Sequence, residues 1–229
     1  MKSSNYLLLI ALSLISCVPT EENQFAIFSQ SYDFNLSKWG WEAGFTDYPV
    51  SPTAGSDTIY HWETQYSTTP SVDANQRSLM LSCNNESGDI FMFIKKKVSG
   101  LHPNKTYSLV FSVGVASNIV DGNGILLKAG ASFVEPQKVI HNERYELNLD
   151  KGENTKSGAD LFLLGLLDTQ ADQAGYLYNT LDNALAPRRF TVQTNNLGEM
   201  WLIVGAETSA PGINTIYFQQ IRVVFSAGE

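Results

Sequence analysis

The sequence predicts an all-β chain folded as a sandwich of two antiparallel sheets. Three observations carry this: the dominant hydrophobic period is two, the apolar segments are short and divided by Gly, Asn or Pro clusters, and no stretch sustains a 3.6-residue period. Twelve segments qualify as strands in chain order: 25–34, 39–45, 59–66, 79–83, 90–98, 107–115, 125–133, 144–149, 161–167, 190–194, 201–208 and 215–225.

The clearest is 107–115, where Tyr107, Leu109, Phe111, Val113 and Val115 alternate with Ser108, Val110, Ser112 and Gly114, the mark of one buried face. Before it, five apolar residues from Ile90 run into Lys95, Lys96 and Lys97, read as a solvated strand end. The turn chemistry of residues 99–106 then predicts that 90–98 and 107–115 are antiparallel neighbours. In the last segment Ile216 and Phe218 have a parity that Ile221, Val223 and Phe225 do not share. One face stays apolar only if an extra residue is inserted at Gln219-Gln220, which predicts a β-bulge. Residues 177–185 are the best helical candidate, but the stretch is short and followed by Pro187, so it reads as a loop with one turn.

Composition narrows the function classes. The chain has 229 residues, 43% of them hydrophobic, and a net charge of −8, so it can build a core and would repel a phosphate backbone; nucleic acid is excluded as a partner. Residues 1–5 carry one cation, Lys2, ahead of an apolar run over 6–15 that is too short for the roughly 20 residues a membrane span needs. This reads as a secretory signal. Leu14-Ile15-Ser16-Cys17 resembles the lipobox of bacterial lipoproteins, which implies cleavage before Cys17, acylation of its thiol and a membrane-lipid partner. Val18 in place of an inner-membrane retention Asp directs the expectation to the outer membrane of the cell envelope. The division is then signal over 1–16, anchor and tether over 17–24, and a single domain over 25–229. Cys83 is left without a disulfide partner; sharing a face with Leu79 and Leu81, it reads as a small buried hydrophobe.

Leu101-His102-Pro103 with Tyr107-Ser108-Leu109-Val110-Phe111 resembles the L-x-P-x-x-x-Y-x-L-x-F hairpin of galactose-binding-like jelly rolls, among them carbohydrate-binding modules of bacterial glycoside hydrolases. The closing stretch 216–223 is similar to the final strand of that superfamily. The resemblance covers about forty residues and implies a jelly roll more than a function. Where such modules often carry an Asp that helps hold a structural calcium, this chain has Gln219 or Gln220.

Seven aromatics stand between residues 39 and 66, including Trp39, Trp41 and Trp62. Two readings remain open. The rings fill the core as same-face strand pairs, Trp39 sharing the fate of Trp41, or some of them form a platform on which a sugar stacks, with Trp62, Glu63, Trp39, Trp41 and Tyr66 as ligand-binding candidates and Trp62 foremost. Asp121 and Asn123 offer the oxygens of a calcium loop but lack an acid at the twelfth position, counting Asp121 as the first, where Ser132 stands, so a structural calcium is not favoured and no other cofactor is expected. His61, His102 and His141 show no zinc spacing, and no nucleophile elbow, phosphate loop or dinucleotide fingerprint is present. The expectation is a non-catalytic, membrane-anchored binding protein recognising a glycan. Its alternatives are a structural or protein-interaction lipoprotein, whose partner is another envelope protein, and a glycan-active enzyme.

Overall fold

A computed structural model describes residues 27–50, 56–70, 75–117, 125–167 and 177–227. Its strands are β1 (Ile27–Asp33), β2 (Glu42–Thr46), β3 (Tyr48–Pro49), β4 (Glu63–Thr68), β5 (Arg77–Asn85), β6 (Ile90–Val98), β7 (Thr106–Ser117), β8 (Ile125–Ser132), β9 (Lys138–His141), β10 (Arg144–Leu147), β11 (Leu161–Leu166), β12 (Leu177–Asp182), β13 (Phe190–Gln193), β14 (Met200–Thr208) and β15 (Gly212–Ala227). One 3-10 helix, Ser56–Tyr60, precedes β4. Among the described residues no helix is long and apolar enough to cross a membrane.

Two sheets form the sandwich, and every strand pair is antiparallel. The first sheet runs β12-β7-β15-β5-β4, with β1 also pairing with β15 and β13 with β7; the second runs β11-β8-β14-β6-β2. Strands β5, β6, β7 and β8 alternate between the sheets, as do β14 and β15. β6 pairs with β14 while β7 pairs with β15, so two ribbons wind around one core in jelly-roll fashion. β6 and β7 are therefore not the neighbours that the turn chemistry predicts. Their connection crosses the sandwich and docks on another turn: the Leu101 and Asn104 amides donate to the carbonyls of Gly198 and Asn195, both at 3.0 Å.

Period-two alternation is realised in β7, whose Tyr107, Leu109, Phe111, Val113 and Val115 are all buried between the sheets. The predicted bulge is present, as a register shift between Phe218 and Gln220 against β7. It carries Ile216 and Phe218 into the same core as Ile221, Val223 and Phe225. Residues 177–182 are a strand rather than a loop with a helical turn. β12 and β13 lie along one edge of β7, and between them the Asn183 side chain continues the ladder, accepting from the Phe111 amide at 2.7 Å and donating to the Leu109 carbonyl at 3.2 Å. That edge supplies what an isolated six-residue segment lacks, a partner for its backbone groups.

A third, small sheet of order β3-β10-β9 lies against the second sheet on the face away from the main core. There Phe91, Phe93 and Ile203 are covered by Leu147, Leu149 and Leu161. β6 is thus buried on both faces from Ile90 to Ile94, and its five-residue apolar run reflects this.

Candidate functional site

The aromatic residues of 39–66 divide into two groups. Trp41 is 3% exposed and meets Tyr32 and Phe34 edge-on at 5.4 and 6.3 Å, inside the core. Trp39 is 39% exposed, and its indole N–H donates to the Asp33 carbonyl at 2.7 Å. These two do not share a fate. Trp39 has φ 53° and Gly40 φ 72°, so a turn lies where a strand would have put both rings on one face.

The second group forms a wall. Trp62 stacks on Tyr60 (4.8 Å, 11°) and tilts against Phe45 at 4.8 Å and Tyr48 at 4.7 Å; Tyr48 in turn meets Tyr145 at 4.9 Å. Two left-handed residues make this possible, His61 (φ 47°) between Tyr60 and Trp62, and Asp47 (φ 71°) between β2 and β3. Tyr48 and Tyr60 are buried, whereas Phe45 and Trp62 are half-buried and line a groove of about 520 Å³. Ala43, Gly44, Phe93, Lys95, Pro136, Gln137 and Lys138 line the rest of it. Gly44 is required here, because a Cβ would stand 2.3 Å from the Phe93 ring.

The lining carries two ammonium groups in different states. Lys95, 13% exposed at its side chain, is held by the Glu135 carboxylate at 2.5 Å and the Pro136 carbonyl at 3.0 Å. The lysine run is thus not simply a solvated strand end. Hydrogen bonding from Lys95 pulls the Glu135 carboxyl below its ordinary value. Lys138 donates to the Tyr48 hydroxyl at 2.6 Å and lies over the rings of Tyr48 and Tyr145 at 5.2 and 4.5 Å.

Beside the groove, under the small sheet, lies a buried ion cluster. Lys128, fully buried, reaches Glu207 at 2.7 Å and donates to the Gly152 carbonyl at 3.1 Å. Lys151 bridges Asp47 and Glu207 at 2.9 Å each. Burial alone would push the Lys151 ammonium down, but the carboxylates of Asp47 and Glu207 more than offset it and hold the ammonium up. Asp89 is pushed up by desolvation and by the Asp47 charge. Oxygens of Asp47, Asp89 and Glu207 lie within 4.8 Å of one another, near enough for a divalent cation, yet the Lys151 ammonium already links two of them. Asp121 and Asn123 lie outside the described residues.

Of the ligand-binding candidates, Trp62 alone lines the groove. Trp41 is core and presents no platform. Glu63 is exposed at the start of β4, and Tyr66, half-buried on that strand of the first sheet, packs under the Arg77 guanidinium at 4.5 Å. Phe45 and Tyr48 were visible as part of the aromatic run. Lys95, Gln137 and Lys138 carry no local signal, since chain crossing brings them to the rings from 33 and more residues away.

The lipid partner is corrected. Acylation needs an accessible thiol, and the one cysteine among the described residues, Cys83, is 1% exposed, its thiol pushed up to about 12 by burial and directed at the Met92 sulfur at 3.7 Å. The described structure offers no thiol through which a membrane lipid could be held, against the expectation for Cys17. Cys17 lies outside the described residues, as do the expected signal and tether.

The chain matches no protein-family model and no curated protein. Solved structures do align with it. The carbohydrate-binding module TmCBM61 in complex with beta-1,4-galactotriose shares 10% identity over 83% of this chain and 92% of its own, with a TM-score of 0.37. TmCBM27, a carbohydrate-binding module that recognises mannan, shares 10% over 87% and 98%, with a TM-score of 0.40. A cleaved adhesin domain of Lys-gingipain from Porphyromonas gingivalis shares 12% over 88% and 99%, at 0.37. At such identities and scores these likenesses carry no argument about family or ligand; the fold class rests on the strand order itself.

Proposed function

We propose that this protein is a non-catalytic glycan-binding module whose ligand lies in the groove between Trp62 and Lys138. The observation that carries this is the groove's make-up: half-buried rings of Trp62 and Phe45 together with the polar side chains of Lys95, Gln137 and Lys138. A sugar ring presents the same division, with apolar C–H faces for stacking and an equatorial rim of hydroxyls for hydrogen bonds. The non-catalytic part is supported by the nearby carboxylates. Asp47 and Glu207 are both engaged by lysine ammonium groups.

Affinity electrophoresis through gels containing soluble polysaccharides tests the reading. Retardation by at least one polymer is expected, with Trp62→Ala weakening it roughly 30-fold, the equivalent of about 2 kcal/mol, and Trp39→Ala, outside the groove, leaving it intact. Retardation that survives Trp62→Ala would place the ligand elsewhere.

A further inference from the structure

Resting on the glycan reading, we propose that the groove selects acidic glycans, polymers whose sugars carry a carboxylate or sulfate. The two lysines of the groove differ in whether a carboxylate meets their charge. Lys95 is neutralised in place by Glu135. Lys138, at the same rim, has no carboxylate within 4.0 Å among the described residues, although the chain as a whole is acidic at −8.

Lys138 is also pre-positioned. Its ammonium spends one proton on the Tyr48 hydroxyl and rests over Tyr48 and Tyr145, leaving two protons to donate. Tyr48 is itself fully buried and packed on Trp62, so the cation is fixed relative to the stacking wall. Holding a long side chain in place beforehand removes much of the entropy cost of using it in binding. A neutral sugar would leave this cation unmatched. A sugar stacked on Trp62 with an anionic substituent toward Lys138 would satisfy it.

Matched polymers test this on the purified protein. Polygalacturonate and its methyl-esterified form share a backbone and differ in whether the carboxyl is charged or capped by a methyl group, and carrageenan and its desulfated form supply the corresponding sulfate arm. The expected result at low salt is about tenfold tighter binding to the acidic member of one pair or both, as a charge-assisted hydrogen bond would give. The arm that shows the preference names the anion. Lys138→Met should bring acidic binding down to that of the neutral partner, and Lys138→Arg should restore it. If Lys138→Met fails to fold, the wild type remains decisive, since its acidic preference should shrink in 0.5 M NaCl through screening. Equal affinity within both pairs, or a preference that Lys138→Met or salt leaves untouched, overturns the acidic selectivity while sparing the glycan reading. Binding to none of the four polymers overturns the acidic selectivity, and the glycan reading falls with it only if the wider set of polysaccharide gels also gives no retardation.

Discussion

The two faces of the second sheet are both shielded from water, and they are built differently. On the inner face Ile90, Met92 and Ile94 of β6 meet Leu127, Ala129, Leu202 and Val204 in a core of hydrocarbon and thioether. On the outer face, between the same strands, Phe91, Phe93 and Ile203 share space with Lys128, Glu207, Gly44 and Gly205. The inner face is filled by another sheet in a continuous layer, so any apolar side chain of suitable volume serves. The outer face is covered by a short sheet and a loop, and its gaps hold charges that must be paired and rings that need glycine beneath them. Chemistry concentrates on the second kind of surface, where burial is complete but the packing is made of specific pairs.

Breaking the outer face at its most buried charge should have the largest effect. Lys128→Met leaves the buried Glu207 short of a partner, and the expected loss is about 3–5 kcal/mol in urea unfolding. Replacing Glu207 by Leu in the same chain should recover much of it, because an uncompensated charge costs more than the pair contributes. Next in size, Gly44→Ala forces the Phe93 ring off its seat, an overpacking cost of about 1–3 kcal/mol. It should also narrow the groove, which the polysaccharide gels would show as reduced retardation. On the inner face Ile94→Val removes only a methylene, about 0.5–1.5 kcal/mol, and should leave retardation unchanged. An inner-face variant that alters binding as much as Gly44→Ala would dissolve the distinction between the faces.

The smallest expected effect concerns acid. The amides of Ala159 and Gly152 hold the Asp150 carboxyl below its ordinary value, so its contribution is present above that value and lost as pH falls through the lowered one. Asp89 has the opposite sign: pushed up by desolvation, its ionised form is disfavoured in the fold, and it takes stability away as pH rises through the carboxylate range. Asp89→Asn should slightly raise the urea midpoint at pH 7, and Asp150→Asn should lower it at pH 7 but not at pH 2. Both groups are largely exposed, so each shift should be modest.

The strand faces that meet in the core of the sandwich were legible in the sequence and the outer face of the second sheet was not, for a physical reason. Alternation in Tyr107–Val115 and the parity break at Gln219-Gln220 are local consequences of a strand meeting one continuous apolar layer, so they mark β7 and the bulge directly. β12 escaped notice because its partner is an edge 60 residues earlier, and residues 138–141 because all four are exposed and need no pattern. The site behaves the same way. The aromatic density of 39–66 was visible, and Trp62 was singled out on its polar neighbours. Which ring faces a groove depends on His61 and Asp47 adopting left-handed backbone, and no periodicity encodes that. The pairing of Lys128 with Glu207 joins residues 79 positions apart, and a lysine inside a strand looks the same in sequence whether a carboxylate waits for it or water does.

The last strand, β15, is the central strand of the first sheet, bonded to β1, β5 and β7. During synthesis this order matters. At roughly 5–20 residues per second, β5 and β7 leave the ribosome on the order of ten seconds before residues 212–227 exist to join them. Through that interval a chain with most of its apolar strands made has no means of closing its first sheet, and strand edges that will be interior stand open to another copy. The wrapped topology that fixes the groove so firmly once formed makes the newborn chain dependent on its final segment, and yield in the cell should follow how well that delay is guarded.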